Sequence, residues 1–172
     1  MNKKGQVLIE VVLYTLIALT LIGAVLAFVT PKISEIRDKA IVEQSLGIMQ
    51  GIDNVILSAS QGGIGNKRVI DLTIKKGMLK INSENDTVIF EMDSDYIYSE
   101  IGEEIKIGGI TALTKKFGNS NRITLTSSYG SAYNITYGSK EETKTISAAA
   151  TPYKLVIENK GGAKTNINFA VS

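Results

Sequence analysis

The feature that most constrains this 172-residue chain is an uncharged stretch of 21 residues, 11–31, near its N-terminus. A helix of about 20 apolar residues is long enough to cross the hydrocarbon core of a bilayer. One carboxylate, Glu10, stands directly before the stretch. A charged side chain in the apolar phase costs about 2.5–3.5 kcal/mol at the membrane centre and less near the surface. Glu10 therefore requires either water or a cationic partner.

A second pattern lies immediately upstream, where Lys3, Lys4 and Gly5 are followed by Gln6. This arrangement resembles the class III signal peptide of archaeal type IV pilin precursors. In that family a prepilin peptidase cuts after the glycine, so the apolar helix stays in the mature chain. The resemblance implies that residues 1–5 are a leader peptide and that the cut falls between Gly5 and Gln6.

The resemblance also implies assembly roles for Gln6, Glu10 and Leu13, which match the family pattern, whereas Leu8 stands where serine is frequent. In pilins the glutamate is thought to meet the new N-terminal amine of a neighbouring subunit. The physics supports such a pair, because a buried carboxylate is tolerable when an ammonium group satisfies it. Gln6 as the first mature residue, together with the absence of cysteine, favours the archaeal over the bacterial form of the family.

What the family does then defines the expected function and partners. The chain would be a structural subunit that polymerises with its own copies into a helical extracellular filament, for adhesion or surface contact. Before assembly it would lie in membrane lipid of the cell membrane. The expected partners are the prepilin peptidase, a pilus assembly ATPase and a membrane platform protein. A minor pilin or pseudopilin would share these features.

Two other interpretations of the N-terminal region stay open. A lysine pair before an apolar stretch also begins ordinary secretory signal peptides, although their apolar core is usually shorter. A plain signal anchor, holding a single-pass extracellular binding module, fits the length equally well. In that case Glu10 would be a carboxylate solvated at the headgroup level. Neither alternative gives a reason for the order Gly5-Gln6 with Glu10.

Composition excludes several classes of chemistry. The chain has no cysteine, histidine or tryptophan, which removes the common zinc and thiol sites and the Ser-His-Asp nucleophile system. We predict no enzyme activity, no catalytic residue, no cofactor and no metal site, and we interpret the acidic residues between 93 and 104 as a solvated loop. The net charge of +2 comes from Lys3 and Lys4; without them 17 basic and 17 acidic side chains remain. No nucleic acid is expected as a partner.

Periodicity predicts one long helix over residues 6–60, with the membrane-spanning or filament-core part at 11–31. Beyond Pro31 apolar residues recur at three- and four-residue steps, which predicts an amphipathic second half. Its apolar face would carry Ile33, Ile36, Ala40, Ile48, Ile52, Val55, Ile56 and Ala59, and its polar face Lys32, Glu35, Arg37, Asp38, Lys39, Glu43 and Asp53. Pro31 predicts a bend, and Gly47 with Gly51 permits either close helix approach or a break. A cluster of glycine, serine and asparagine predicts a linker at 61–67.

The remaining residues, 68–172, predict an extracellular β-domain, because the apolar period changes from 3.6 to 2. The predicted fold class is α+β: a long N-terminal helix followed by an antiparallel β-sandwich-like head. Two hairpin turns are predicted at 75–77 and 159–162, and two sequons, at Asn85 and Asn134, allow N-glycosylation. Predicted strands cover residues 69–74, 78–81, 87–92, 96–99 and 105–107, with further alternation at 123–125, 133–137 and 167–171.

Overall fold

The computed structural model describes residues 3–172, with side chains from Val7 onward. It begins with one helix, α1, Lys3–Gln61. The chain divides into two units at the bond between Arg37 and Asp38, so α1 contributes to both. Each unit is described by itself below.

Helix α1 is continuous through Gly47 and Gly51, so the break that these glycines permit does not occur. Pro31 also lies inside the helix. The predicted stop is confirmed. The N–H of Gly62 donates to the carbonyl of Ser58 at 3.1 Å, and Gly63 follows with a φ of 81°. Glycine adopts this left-handed conformation without the steric penalty of a side chain, so it ends a helix readily.

Ten strands follow α1 and form two sheets. The first sheet has the order β1-β9-β10-β7 and the second the order β4-β5-β6-β3-β2-β8. The strands are β1 Lys67–Leu72, β2 Met78–Asn82, β3 Thr87–Ser94, β4 Glu104–Ile107, β5 Ile110–Phe117, β6 Ser120–Ser128, β7 Tyr133–Tyr137, β8 Lys144–Ser147, β9 Tyr153–Gly161 and β10 Thr165–Val171. The predicted α+β class, a long helix followed by antiparallel-rich sheets, is confirmed.

One strand pair departs from the antiparallel pattern, because β7 and β10 run parallel, with Ile135 opposite Ile167. Period-2 alternation identifies which side chains face inward but carries no information on the direction of the neighbouring strand. Both residues are fully buried, as the alternation predicts.

The two predicted hairpin turns have different outcomes. The turn at 159–162 is confirmed, since β9 and β10 pair antiparallel around Gly161 and Gly162. The hairpin at 75–77 is wrong. Gly77 does have a positive φ of 87°, but β1 pairs with β9 while β2 pairs with β3 and β8. The segment therefore carries the chain from one sheet to the other, with Leu72 and Ile74 buried in the core on the way.

A predicted strand at 96–99 is also wrong, because side-chain hydrogen bonds hold this segment as an irregular loop. The N–H of Ser99 donates to Oγ1 of Thr114, and the N–H of Thr114 donates to Oγ of Ser99, both at 3.0 Å. Hydroxyl groups that satisfy backbone donors compete with strand pairing. No strand was predicted at the positions of β5, β8 or β9, although the turn at the end of β9 was.

The core of the second unit contains helix residues as well as residues from both sheets. Met49, Ile52 and Ile56 are at most 1% exposed and belong to the same buried cluster as strand residues such as Leu125 and Phe169. Ala59, nearer the end of the helix, is fully buried as well. Not all predicted apolar-face residues belong to this core. Ile33 and Ile36 are 50% and 68% exposed, and Ala40 is exposed as well.

The polar face was also assigned incorrectly at Asp38, which is only 3% exposed. Its partners come from loops of the β-strand region, which no helical period can reveal. The buried face of α1 in this unit is therefore mixed, with one carboxylate at its start and apolar side chains after it.

Replacement of Ile52 tests this role of α1. We expect Ile52→Ala to lower the free energy of unfolding by about 2–5 kcal/mol, because it leaves a cavity among buried side chains. Leu57→Ala is the matched control on the same helix, since Leu57 is 50% exposed, and it should cost about 1 kcal/mol or less. Denaturant unfolding of the full chain in detergent, followed by circular dichroism, measures both. Equal losses for the two variants would contradict the docking of α1 described here.

Candidate functional site

The N-terminal part of α1 has an apolar surface that the described residues leave uncovered. Sixteen large hydrophobic residues between Val7 and Val29 are 38–72% exposed, with Phe28 the most exposed of them. They occur on every side of the helix, not on one stripe. A helix that is apolar all round is stable only inside a larger apolar environment. This segment is long and apolar enough to cross a membrane.

The polar side chains within this segment are mostly satisfied by the helix itself. Thr15, Thr20 and Thr30 each donate their hydroxyl to the carbonyl four residues earlier, at 2.7 Å. Such internal bonds remove the cost of placing a hydroxyl group in an apolar phase. The threonines therefore do not disturb the apolar character of the surface.

Glu10 is the exception. Within the described part of the chain its carboxylate has no hydrogen bond or ion pair, and the residue is exposed. Leu13, which the resemblance also assigns to assembly, is 53% exposed on the same helix. The side chains of Lys3, Lys4 and Gln6 lie outside the described residues, as does the geometry of the cleavage site at Gly5.

In the second unit, Asp38 joins α1 to two loops. Its Oδ1 accepts from Nζ of Lys76 at 2.6 Å, and its Oδ2 accepts from the backbone N–H of Asp95 at 2.9 Å. Burying a carboxylate is costly unless charge and hydrogen bonds compensate it, and both are present here. Asp38 thus fixes where α1 begins to contact the β-strand region.

A second polar contact lies between the two ends of the docked part of α1. The phenol of Tyr129, which follows β6, donates to the carboxylate of Asp53. Burial raises the pKa of Tyr129 above its ordinary value, and the hydrogen bond to Asp53 raises it further. The phenol therefore stays protonated and serves as a donor across the neutral range.

The C-terminal end of α1 is held by Asn159 of β9. Its side-chain amide donates to the carbonyls of Ala59 and Ser60, both at 3.3 Å. The last carbonyls of a helix lack partners within the helix, so such donors stabilise the terminus. Together with Asp38 and the Asp53–Tyr129 pair, Asn159 fixes the second half of α1 at three points along its length.

The two sequons have different surroundings. Asn85 is exposed in the turn between β2 and β3. Asn134 is half-buried in β7, and the hydroxyl of Thr136 in the same sequon is buried, donating to Asn166 and Asn168. The folded geometry is therefore more favourable for modification at Asn85 than at Asn134.

The described residues contain no group of three or more acidic side chains arranged to hold a metal ion. In the acidic segment, Asp93 pairs with Arg122 at 2.8 Å, and the carboxylate raises the pKa of that guanidinium through their hydrogen bond. The acidic side chains of this segment thus lie on the surface, and Asp93 is held in an ion pair.

Replacement of Tyr129 tests the contribution of its hydrogen bond to Asp53. Tyr129→Phe should lower the free energy of unfolding by about 1–3 kcal/mol near neutral pH, because it leaves the carboxylate without its donor. Since the pKa of Tyr129 is raised by folding, the unfolded phenol ionises first, from about pH 10, and the wild-type advantage declines above that pH. Chemical unfolding at about pH 8 and about pH 11 measures the change.

The control for that measurement is Tyr137→Phe, because Tyr137 is half-buried and its hydroxyl has no hydrogen bond among the described residues. This variant should have only a small effect on stability, because it removes no hydrogen bond among the described residues. A Tyr129→Phe effect that stays constant between the two pH values would contradict the assigned role of the phenol.

Comparison with known proteins adds no relative to this description. No family model, no curated protein and no solved structure matches the chain. The functional argument therefore depends on the residues around the N-terminal part of α1 and on the structure of the two units.

Proposed function

We propose that the chain is the structural subunit of an archaeal type IV pilus-like extracellular filament, processed by a prepilin peptidase and polymerised through the N-terminal part of α1. The observation that carries the proposal is the uncovered apolar surface between Val7 and Val29. This segment is about 34 Å long at 1.5 Å per residue, against about 30 Å for a bilayer core. Lipid can surround it before assembly, and helices of neighbouring copies can surround it afterwards.

Glu10 supports a filament over a simple anchor. An anchor has no use for a carboxylate beside the apolar phase, where it costs free energy. A filament built from cleaved chains supplies a cation at the same depth, namely the amine created at Gln6. The described residues offer Glu10 no other partner.

The docked half of α1 supports the same function in another way. Asp38, Asp53 and the amide of Asn159 attach the helix to the β-strands at both ends and in the middle. A subunit that transmits force along a filament needs its outer domain fixed to the polymerising helix. The β-domain would then face outward, where Asn85 is accessible to glycosylation and the surface can make adhesive contacts.

The second candidate function is a single-pass membrane anchor carrying an extracellular binding module, which the length and apolarity of the N-terminal part of α1 favour equally. Electron microscopy of sheared cell-surface material discriminates the two. Filaments that contain this chain support the proposed function. Their absence, with all of the protein in the membrane fraction, would favour the anchor.

Replacement of Glu10 tests the proposed pairing. Glu10→Gln should insert into the membrane at least as well as the wild type, because a neutral amide is cheaper to place near lipid than a carboxylate. It should lower filament yield by roughly tenfold or more, since each 1.4 kcal/mol of lost contact energy is a factor of ten. Glu10→Asp should give an intermediate yield, as it keeps the charge but shortens the reach.

The matched control is Glu43→Gln, because Glu43 lies exposed on the same helix and makes only a 3.9 Å surface pair with Lys39. Its filament yield should equal that of the wild type. Filament counts by electron microscopy are compared with membrane abundance by immunoblot. Normal filaments from the Glu10→Gln chain would show that Glu10 is a solvated bystander.

A further inference from the structure

Two exposed sheet edges in the second unit carry opposite charge. Strand β1 is an edge strand of the first sheet, and β4 is an edge strand of the second. Each therefore has one side without a neighbouring strand among the described residues. An edge strand leaves backbone N–H and C=O groups open for contact with another chain.

The first of these surfaces, which we call the basic edge, consists of Ile64, Lys67, Arg68 and Val69. Its apolar members are strongly exposed, Ile64 at 79% and Val69 at 55%. Neither Lys67 nor Arg68 forms an ion pair with any residue that the structure describes. The basic edge thus combines uncompensated positive charge with exposed aliphatic side chains.

The second surface, the acidic edge, has the opposite net charge, since its three glutamates outnumber the one exposed lysine of β4, Lys106. Its three isoleucines are 37–50% exposed, and its three glutamates form no ion pair within the described part of the chain. They lie in the loop before β4 and at the start of that strand. The members of the acidic edge are Ile97, Glu100, Ile101, Glu103, Glu104 and Ile105.

The two edges lie at opposite ends of the docked part of α1. The acidic edge follows Asp95, whose N–H donates to Asp38 near the start of this part. Gly65 lies within the basic edge, next to Ile64, and its N–H donates to the carbonyl of Asn159. The side-chain amide of Asn159 in turn donates to the carbonyl of Ala59 at the helix end. From Asp38 to Ala59 the helix rises about 32 Å. One chain therefore presents its negative edge at one end and its positive edge at the other.

We propose that the acidic edge of one copy binds the basic edge of the next, so that the β-domains form a head-to-tail contact along the direction of α1. Different surfaces of two identical chains then meet, and a contact of this type repeats without closing when successive copies advance along an axis. The occupant is a second copy of this chain because its own surface supplies the matching charge and apolar side chains. The inference rests on the proposed filament and adds a second contact to that of the apolar helices.

Cross-linking tests the contact directly, because the chain has no cysteine of its own. Arg68→Cys and Glu104→Cys are introduced together, and intact filaments are treated with a short bismaleimide. The expected result is a ladder of covalent multimers on a denaturing gel, while each single variant alone gives monomers. The control pair, Lys116→Cys with Lys140→Cys, uses exposed positions outside both edges and should give no ladder.

Charge reversal provides an independent test. Lys67→Glu/Arg68→Glu and Glu103→Lys/Glu104→Lys should each lower filament yield by roughly tenfold, because like charges would then oppose each other across the contact. The combination of all four changes should restore the yield. Lys140→Glu/Lys144→Glu and Glu141→Lys/Glu142→Lys, at exposed positions away from both edges, change the net charge equally and should have little effect.

The outcomes separate this contact from the filament itself. If the wild-type chain forms filaments but the Arg68→Cys/Glu104→Cys filaments give no ladder, the edge contact is wrong and the proposed function stands. The same holds if the four combined charge reversals do not restore the filament yield. Absence of filaments from the wild-type chain would overturn both.

Discussion

The apolar surface of the N-terminal part of α1 must be covered by something other than water, and the account of this molecule depends on that constraint. Between Val7 and Val29 the large side chains point outward on all sides of α1, and the described residues provide nothing to cover them. At about 25 cal/mol for each Å² of apolar surface, burial of these side chains by lipid or by other helices is strongly favourable. The segment is long and apolar enough to cross a membrane, and in our proposal it later associates with the same segment of other copies.

The second half of α1 has a different role. It packs in the core of the second unit, and it is part of the same helix as the apolar segment. Buried Met49, Ile52 and Ile56 supply the apolar contact with the sheets. The polar contacts of Asp38 and Asp53 add direction, because hydrogen bonds fix geometry that apolar packing leaves adjustable. One helix thus contributes both the exposed apolar segment and part of the buried core of the second unit.

The sequence predicted the parts of the fold that depend on local pattern. The long helix, its end near Gly62 and the turn at Gly161 follow from apolar periodicity and from glycine's tolerance of positive φ. Contacts between residues far apart in the chain could not be predicted in this way. Asp38 was assigned to the polar face because it is charged. Its burial could not be foreseen, since its partners, Lys76 and the N–H of Asp95, come 38 and 57 residues later in the chain.

The same limit applies to strand pairing and to the candidate site. Residues 75–77 do separate two strands, but nothing local indicates that the second of them joins a different sheet. The Asp53–Tyr129 pair and the two charged edges likewise need the assembled fold to be recognised. Glu10, by contrast, was identified as a candidate site residue from the sequence alone. A single carboxylate beside a long apolar run costs free energy whatever the rest of the fold is, so it is unusual in the sequence itself.

The measurement that tests this account most directly is the N-terminal sequence and intact mass of the protein taken from its native cells. The account predicts a chain that begins at Gln6, free or cyclised, and that retains the entire apolar segment of α1. A chain that still begins at Met1 would have its N-terminal amine five residues before Gln6, away from the position that the proposed pair with Glu10 needs. A chain that begins beyond residue 27 would have lost the surface through which the copies are proposed to associate, and either result would contradict the central claim.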